Sequence, residues 1–213
     1  MEIQVIPVTP FEQNSSLLCC MDSRKAALVD PGGDPERLYE IIEKAGVSVE
    51  KIFLTHGHFD HIGAVAEVAE RLSVPIEGPQ RGDRFLIEGL PEWCARFGFP
   101  PGRVFEPKRW LEHGDEVTFG RQRLEVRHCP GHTPGHVIFY HPEDKIAVVG
   151  DVIFQGSIGR TDFPRGDHAT LIRSIREQIF TLDDDVTLLP GHGPTTRVGE
   201  ERAHNPFVQG AFG

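Results

Sequence analysis

Apolar residues open the chain in short runs, Ile3 to Val8, Ser16 to Cys20 and Ala26 to Val29, each broken by polar turn residues. That spacing predicts a set of short antiparallel strands. The third run stops at the turn Asp30-Pro31-Gly32-Gly33. Asp34, Pro35 and Glu36 follow, with Asp34 expected as N-cap and Pro35 at the first helical position. Leu38, Ile41, Ile42 and Ala45 repeat at helical spacing until Gly46. A strand from Lys51 to Leu54 then runs directly into Thr55-His56-Gly57-His58-Phe59-Asp60-His61, and Ile62, Val65, Val68, Ala69 and Leu72 form the buried stripe of a second helix.

The second half repeats this logic in a different sequence. Leu124 to His128 is a strand ending in Cys129-Pro130-Gly131-His132-Thr133-Pro134-Gly135-His136, and Val137 to Tyr140 and Ile146 to Val149 are two more, the latter ending at Gly150-Asp151. A helix follows Asp167 with Leu171, Ile172, Ile175 and Ile179 as its stripe, and the strand Val186 to Leu189 delivers Pro190-Gly191-His192-Gly193-Pro194. Strands, helix, strand and cluster, twice over, predict an α/β (α+β) chain with two sheets face to face and helices outside. Arg81 to Gly114, which holds both tryptophans, reads as a helical insertion within a single domain spanning 1–213.

Composition narrows the function classes. With 213 residues, 38% hydrophobic and 25% charged, the chain has enough apolar material for a sizeable core. A net charge of −10 disfavours nucleic acid as a partner. No run approaches the roughly 18 apolar residues that a membrane span requires, and the opening MEIQVIPVTPF lacks a basic start and apolar signal core, so a soluble, cytoplasmic protein without a membrane partner is expected. Cys19, Cys20, Cys94 and Cys129 form no CxxC pair, which argues against a disulfide scaffold.

Histidine is the unusual residue, 11 in all, and several are grouped. His56 and His58, two apart on an extended loop, can face one point. Asp60 and His61, at the mouth of a helix, can reach a second point nearby. The pattern H-x-H-x-D-H arises by chance in on the order of two such chains per thousand. His132, Asp151 and His192 each stand just after an expected strand, in Gly- or Pro-flanked turns that let the backbone bend around an ion. Imidazole and carboxylate ligands favour zinc, iron or manganese over calcium. His113, His128, His136, His141, His168 and His204 read as structural or solvent-facing, and Cys129 as a buried thiol.

THGHFDH (55–61), CPGHTPGH (129–136), GD (150–151) and PGHGP (190–194) together resemble the metallo-β-lactamase superfamily. LVDPGGD (28–34), IGRTDFPRGDH (158–168) and RAHNPF (202–207) extend the resemblance to the short branch of the glyoxalase II, or hydroxyacylglutathione hydrolase, family. The resemblance implies an αββα sandwich of mixed sheets and two divalent metal ions, zinc first, with iron or manganese as the other choices. It places His56, His58 and His132 on one ion and Asp60, His61 and His192 on the other, with Asp151 bridging. It also implies an enzyme that cleaves S-D-lactoylglutathione or a related acyl-thiol, a small-molecule thioester, by a metal-held hydroxide, with Asp60 and Asp151 holding and orienting the water.

Lactamases of the best-known zinc class carry cysteine where Asp151 stands, so the resemblance favours thioester hydrolysis over antibiotic hydrolysis. Persulfide dioxygenases resemble the chain at Gly159 to Phe163, but they use one iron and carry alanine and aspartate where this chain has Gly191 and Gly193. Ordinary glyoxalase II also has a helical C-terminal extension that helps to hold glutathione, whereas 21 residues follow His192 here. Arg160, in a Gly-flanked loop, is the leading cation for substrate carboxylates, against a salt bridge with Asp162. Ile153 and Phe154 could wall the pocket or pack the core, and the core is the expectation. The alternatives are an iron-dependent persulfide dioxygenase and a metal-stapled, non-catalytic binding protein.

Overall fold

The computed structural model describes residues 1–209. Strands β1 (Glu2–Val8), β2 (Gln13–Cys20) and β3 (Lys25–Val29) form the antiparallel opening. Helix α1 (Pro35–Ala45) crosses over to β4 (Ser48–Phe53), which pairs parallel with β3. Helices α2 (Phe59–Ile62) and α3 (Val65–Leu72) lead to the short parallel strand β5 (Ile76–Glu77). This first sheet has the order β1-β2-β3-β4-β5.

Helices α4 (Arg84–Glu88) and α5 (Leu90–Phe97) precede the second sheet. That sheet contains β6 (Glu116–Phe119), β7 (Gln122–His128), β8 (Val137–His141) and β9 (Ile146–Gly150). A hairpin of β10 (Ile153–Phe154) and β11 (Ser157–Ile158) follows, then helix α6 (His168–Ser174), β12 (Thr187–Pro190), β13 (Thr196–Arg197) and α7 (Val198–His204). The order is β13-β12-β9-β8-β7-β6, with β9 and β12 parallel and the other pairs antiparallel. No helix among the described residues is long and apolar enough to cross a membrane.

The two sheets pack face to face. Leu18, Val29 and Phe53 from the first meet Phe119, Val126 and Phe139 from the second, and the Phe53 ring lies 5.4 Å from Phe139. On the outer face of the first sheet, Leu17, Leu28 and Ile52 bury Leu38 of α1 and Val65 and Val68 of α3. On the other side, Ile138, Ala147 and Val149 bury Leu171 of α6 and Val198 of α7. Leu17 and Leu18 thus point to opposite faces, as the two-residue period of a strand requires, and both are fully buried. The architecture is the αββα sandwich expected, with two mixed sheets.

Two local expectations change. Asp34 does not cap α1: its backbone is left-handed (φ 48°, ψ 51°), not the extended conformation that aims a capping oxygen at the helix, and its carboxylate accepts from the Thr9 N–H at 2.8 Å. Asp167 (φ −147°, ψ 115°) does cap, accepting from Thr170 N–H at 2.7 Å. Within 81–114, α-helix is confined to α4 and α5. Beyond them the chain runs beside β5, where the Lys108 N–H donates to Ile76 O at 2.9 Å.

Candidate metal centre

Strands β7 and β9 both run antiparallel to β8, and β12 runs parallel to β9, so the C-terminal ends of all three reach one edge of the second sheet. Those ends carry His132, Asp151 and His192. The Val137 N–H donates to Thr55 O at 2.8 Å, which holds the end of β4, with its histidines, against the same edge. These strand ends and their turns thus bring four separate stretches of chain together.

The side chains converge in two groups. In the first, His58 Nδ1 lies 3.2 Å from His56 Nε2 and 2.9 Å from His132 Nε2. Tetrahedral zinc at 2.0–2.1 Å from nitrogen separates its ligands by roughly 3.3 Å, close to this spacing. The second group is Asp60, His61 and His192, with His192 Nε2 at 3.2 Å from Asp60 Oδ2. Asp151 stands between them: Oδ1 is 3.3 Å from His61 Nε2, and Oδ2 is 3.5 Å from His132 Nε2 and 3.8 Å from His192 Nε2. All seven residues singled out in the sequence are therefore neighbours.

Both His61 Nε2 and Asp151 Oδ1 are buried without a hydrogen bond, two electron-pair donors facing one gap. Such atoms are costly unless a cation satisfies them, and nitrogen with oxygen donors suits a divalent transition ion. Burial, reinforced by neighbouring imidazoles, pulls His56 well below its usual range and His58 down to about 3. Burial likewise lowers His132. These three rings are neutral at pH 7, the form that ligates. Burial opposes charge on Asp151 and Asp60, yet nearby histidines hold both carboxyls ionised: His61 is foremost for Asp151 and the His192 hydrogen bond for Asp60. The reverse balance, burial outweighed by Asp151 and by Asp60, raises His61 and His192.

The rings are also oriented from behind. His56 Nδ1 meets Thr55 Oγ1 at 3.0 Å, His61 Nδ1 meets Asp30 Oδ2 at 2.9 Å, His132 Nδ1 donates to Arg160 O at 2.7 Å and His192 Nδ1 to Phe11 O at 3.1 Å. A carbonyl can only accept, so Nδ1 of His132 and of His192 carries a proton, and in the neutral ring Nε2 keeps its lone pair for the gap. Asp30 further accepts from Thr55 N–H at 2.8 Å, and buried Asp83 ties two loops by accepting from Gly57 N–H (2.9 Å), Thr133 Oγ1 (2.7 Å) and Gly135 N–H (2.6 Å). Burial pushes the Asp83 carboxyl up to about 6 against those donors.

Sequence reasoning missed Asp30, Asp83 and the role of His136. His136 is fully buried, stacks on His56 at 4.7 Å, and its Nε2 accepts from the Asp151 N–H at 3.0 Å. Asp30 did carry a signal, since it ends an apolar strand as Asp151 does; Asp83, after Arg81 and Gly82, carried none. Cys129 is buried and its thiol is pushed up by burial.

A cavity of about 350 Å³ opens over the two groups, walled by Phe11, Phe59, Phe97, Phe154 and Phe163. Ile153 is in the core as expected, but Phe154 lines this cavity instead, because the β10–β11 hairpin turns it outward. Arg160 reaches the rim with its charge paired to Asp162, two contacts of 2.6 Å, and its guanidinium 4.4 Å over the Phe163 ring. Gly191 forms the floor: a Cβ there would sit 2.2 Å from Asp151 Oδ1 and 2.6 Å from His61 Cε1.

Residues 8–192 match the model of the metallo-β-lactamase superfamily. The chain belongs to that superfamily. It is 47% identical over 209 residues to the hydroxyacylglutathione hydrolase GloC of Haemophilus influenzae, covering 98% of each chain. Among solved structures it superposes on the BLEG-1 B3 metallo-β-lactamase with a TM-score of 0.91 at 36% identity, covering 98% of this chain and 100% of that one. On the di-iron-bound form of TTHA1623 the TM-score is 0.87 at 37% identity, covering 96% and 99%. The chain is a metallohydrolase, and its His/Asp clusters imply divalent metals.

Proposed function

We propose that this chain hydrolyses hydroxyacyl-thioesters of the S-D-lactoylglutathione type, with His56, His58 and His132 holding one divalent cation, Asp60, His61 and His192 a second, and Asp151 shared. The observation that carries this reading is the position of Asp151 between the two groups, its Oδ1 beside His61 and its Oδ2 between His132 and His192. The similarity to a hydroxyacylglutathione hydrolase over nearly the full length supports the substrate class, and the di-iron form of a similar structure supports two ions. The donor set suits zinc, with iron and manganese admitted.

Such cations supply Lewis acidity and lower the pKa of water from near 15.7 toward about 7. Asp60 and Asp151 accept hydrogen bonds from the attacking water and aim its lone pair at the cavity. The phenylalanine walls exclude bulk water and keep the polar contacts strong. As oxygen adds to the thioester carbonyl carbon and the C–S bond breaks, the thiol, with a pKa of about 8.5, leaves as thiolate without a protein acid. No Ser-His-Asp triad is needed.

Gly191 separates this reading from persulfide oxidation at one iron. The space a methyl would fill is the space that lets His61 and Asp151 approach each other. The test is release of free thiol from S-D-lactoylglutathione by purified, metal-assayed protein, beside a β-lactam and a persulfide with oxygen uptake recorded. Thiol release lost in His58→Ala supports the proposal; β-lactam cleavage or oxygen uptake as the dominant activity refutes it.

A further inference from the structure

Beside the metal centre lies a second, open cavity of about 380 Å³, between α5 and the loop after β11. It shares Phe97, Arg160 and Phe163 with the first, so the two cavities adjoin along these three side chains. The path can be followed ring by ring: His58 to Phe163 at 4.8 Å, Phe163 to Trp93 edge-on at 6.4 Å, and the Arg96 guanidinium 5.4 Å over Trp93. Those steps bound the distance from the metal ligands to Arg96, and a tripeptide-sized chain, at on the order of 10 Å extended, covers much of it.

The Arg96 side chain is exposed and makes no ion pair or hydrogen bond among the described residues. Its guanidinium sits over the Trp93 ring with the N–H fork free, and a guanidinium fork suits a carboxylate or phosphate. Arg160, on the opposite wall, is paired only with exposed Asp162, a contact that an incoming anion can exchange. In a chain of net charge −10, two guanidinium groups held over aromatic rings at the rim of the metal cavity are placed for an anion.

We propose that this groove is the subsite for the thiol half of the substrate, with Trp93 and Phe163 as its apolar floor and Arg96 and Arg160 binding the carrier's anionic group. The proposal rests on the thioester-hydrolase reading and supplies carrier contacts from helix α5 and the loop after β11. The chemistry recognised is a thiol with an anion one short chain away, either a peptide carboxylate or a pantetheine phosphate.

The test is calorimetric binding of three unreactive thioethers to the metal-loaded protein: S-methylglutathione, S-methylphosphopantetheine and the uncharged S-methyl-N-acetylcysteamine. At least one anionic thioether binds more tightly than the uncharged one, and Arg96→Gln weakens that binding roughly three- to tenfold while leaving the uncharged ligand unchanged. Which anion responds identifies the carrier. Remote Arg37→Gln changes nothing. The proposal is overturned if Arg96→Gln binds both anions as wild type does, if charge confers no advantage, or if no thioether binds. Thioether binding needs no turnover, so charge-dependent binding by a protein that hydrolyses no thioester would sink the hydrolase reading by itself.

Discussion

Replacing Gly191 by alanine adds one methyl group where the two ligand groups meet. Its Cβ would stand 2.2 Å from Asp151 Oδ1 and 2.6 Å from His61 Cε1. An ordinary C···O contact is about 3.3–3.6 Å, so the carboxylate or the imidazole must retreat by roughly 1 Å. Neither has room: His61 is fully buried and held by Asp30, and the Asp151 backbone is held by His136. The backbone of Gly191 lies outside the left-handed region, so alanine adds no strain there. The overpacking costs about 1–3 kcal/mol, a drop of a few degrees in Tm for a chain of this size. The consequence for the metals is larger, because ligand distances tolerate only about 0.2 Å. Gly191→Ala is expected to stay folded, to fall from two metal equivalents to one by elemental analysis, and to lose at least about 100-fold in thioester hydrolysis. Two retained equivalents with a rate within about threefold of wild type would refute the reasoning, since a 1 Å displacement cannot be that cheap.

Further predictions follow from the groups behind the ligands and from the core. Asp30→Asn keeps the shape but removes the carboxylate charge that faces His61 Nδ1, so the affinity of the second ion falls about 10- to 100-fold in chelator competition; unchanged affinity would show that Asp30 does not orient His61. Burial, then the neighbouring His132, holds His136 well below 6.5, so the unfolded chain takes a proton below that pH that the folded chain refuses. Stability therefore falls as pH drops through 6.5, by about 1.4 kcal/mol per unit for this one proton. His136→Gln, which keeps an acceptor for the Asp151 N–H, flattens urea-derived stability by that slope down to about pH 5; identical slopes would contradict the assignment. Phe53→Ala, between the sheets, costs about 3–5 kcal/mol in urea unfolding, and a cost under about 1 kcal/mol would contradict the packing described.

The principal strands were legible because they are buried on one or both faces and read as alternating or continuous apolar runs. Two-residue strands such as β5 and β13 have no period to detect, and β6 alternates over only four residues. The ligand positions were legible for a different reason: imidazoles and carboxylates in Gly- and Pro-flanked turns after strands have few structural reasons to be there. Residues acting one shell further out look ordinary in sequence. Asp83 joins two loops across the fold, from Gly57 to Gly135, and no local pattern anticipates contacts between such distant positions. Arg160 illustrates a third case, since the sequence offered both a substrate anion and Asp162 as its partner, and side-chain geometry shows the pairing with Asp162. Phe154 was misjudged because a hairpin of two short strands decides which of two adjacent apolar residues faces the core.

The central claim is that a pair of cations caged by these side chains serves thioester hydrolysis. The most direct measurement is thiol release from S-D-lactoylglutathione, titrated with metal into chelator-stripped protein. The account predicts activity that rises with added metal and saturates at two equivalents per chain. Saturation at one equivalent, or no thiol release at any loading, would contradict it.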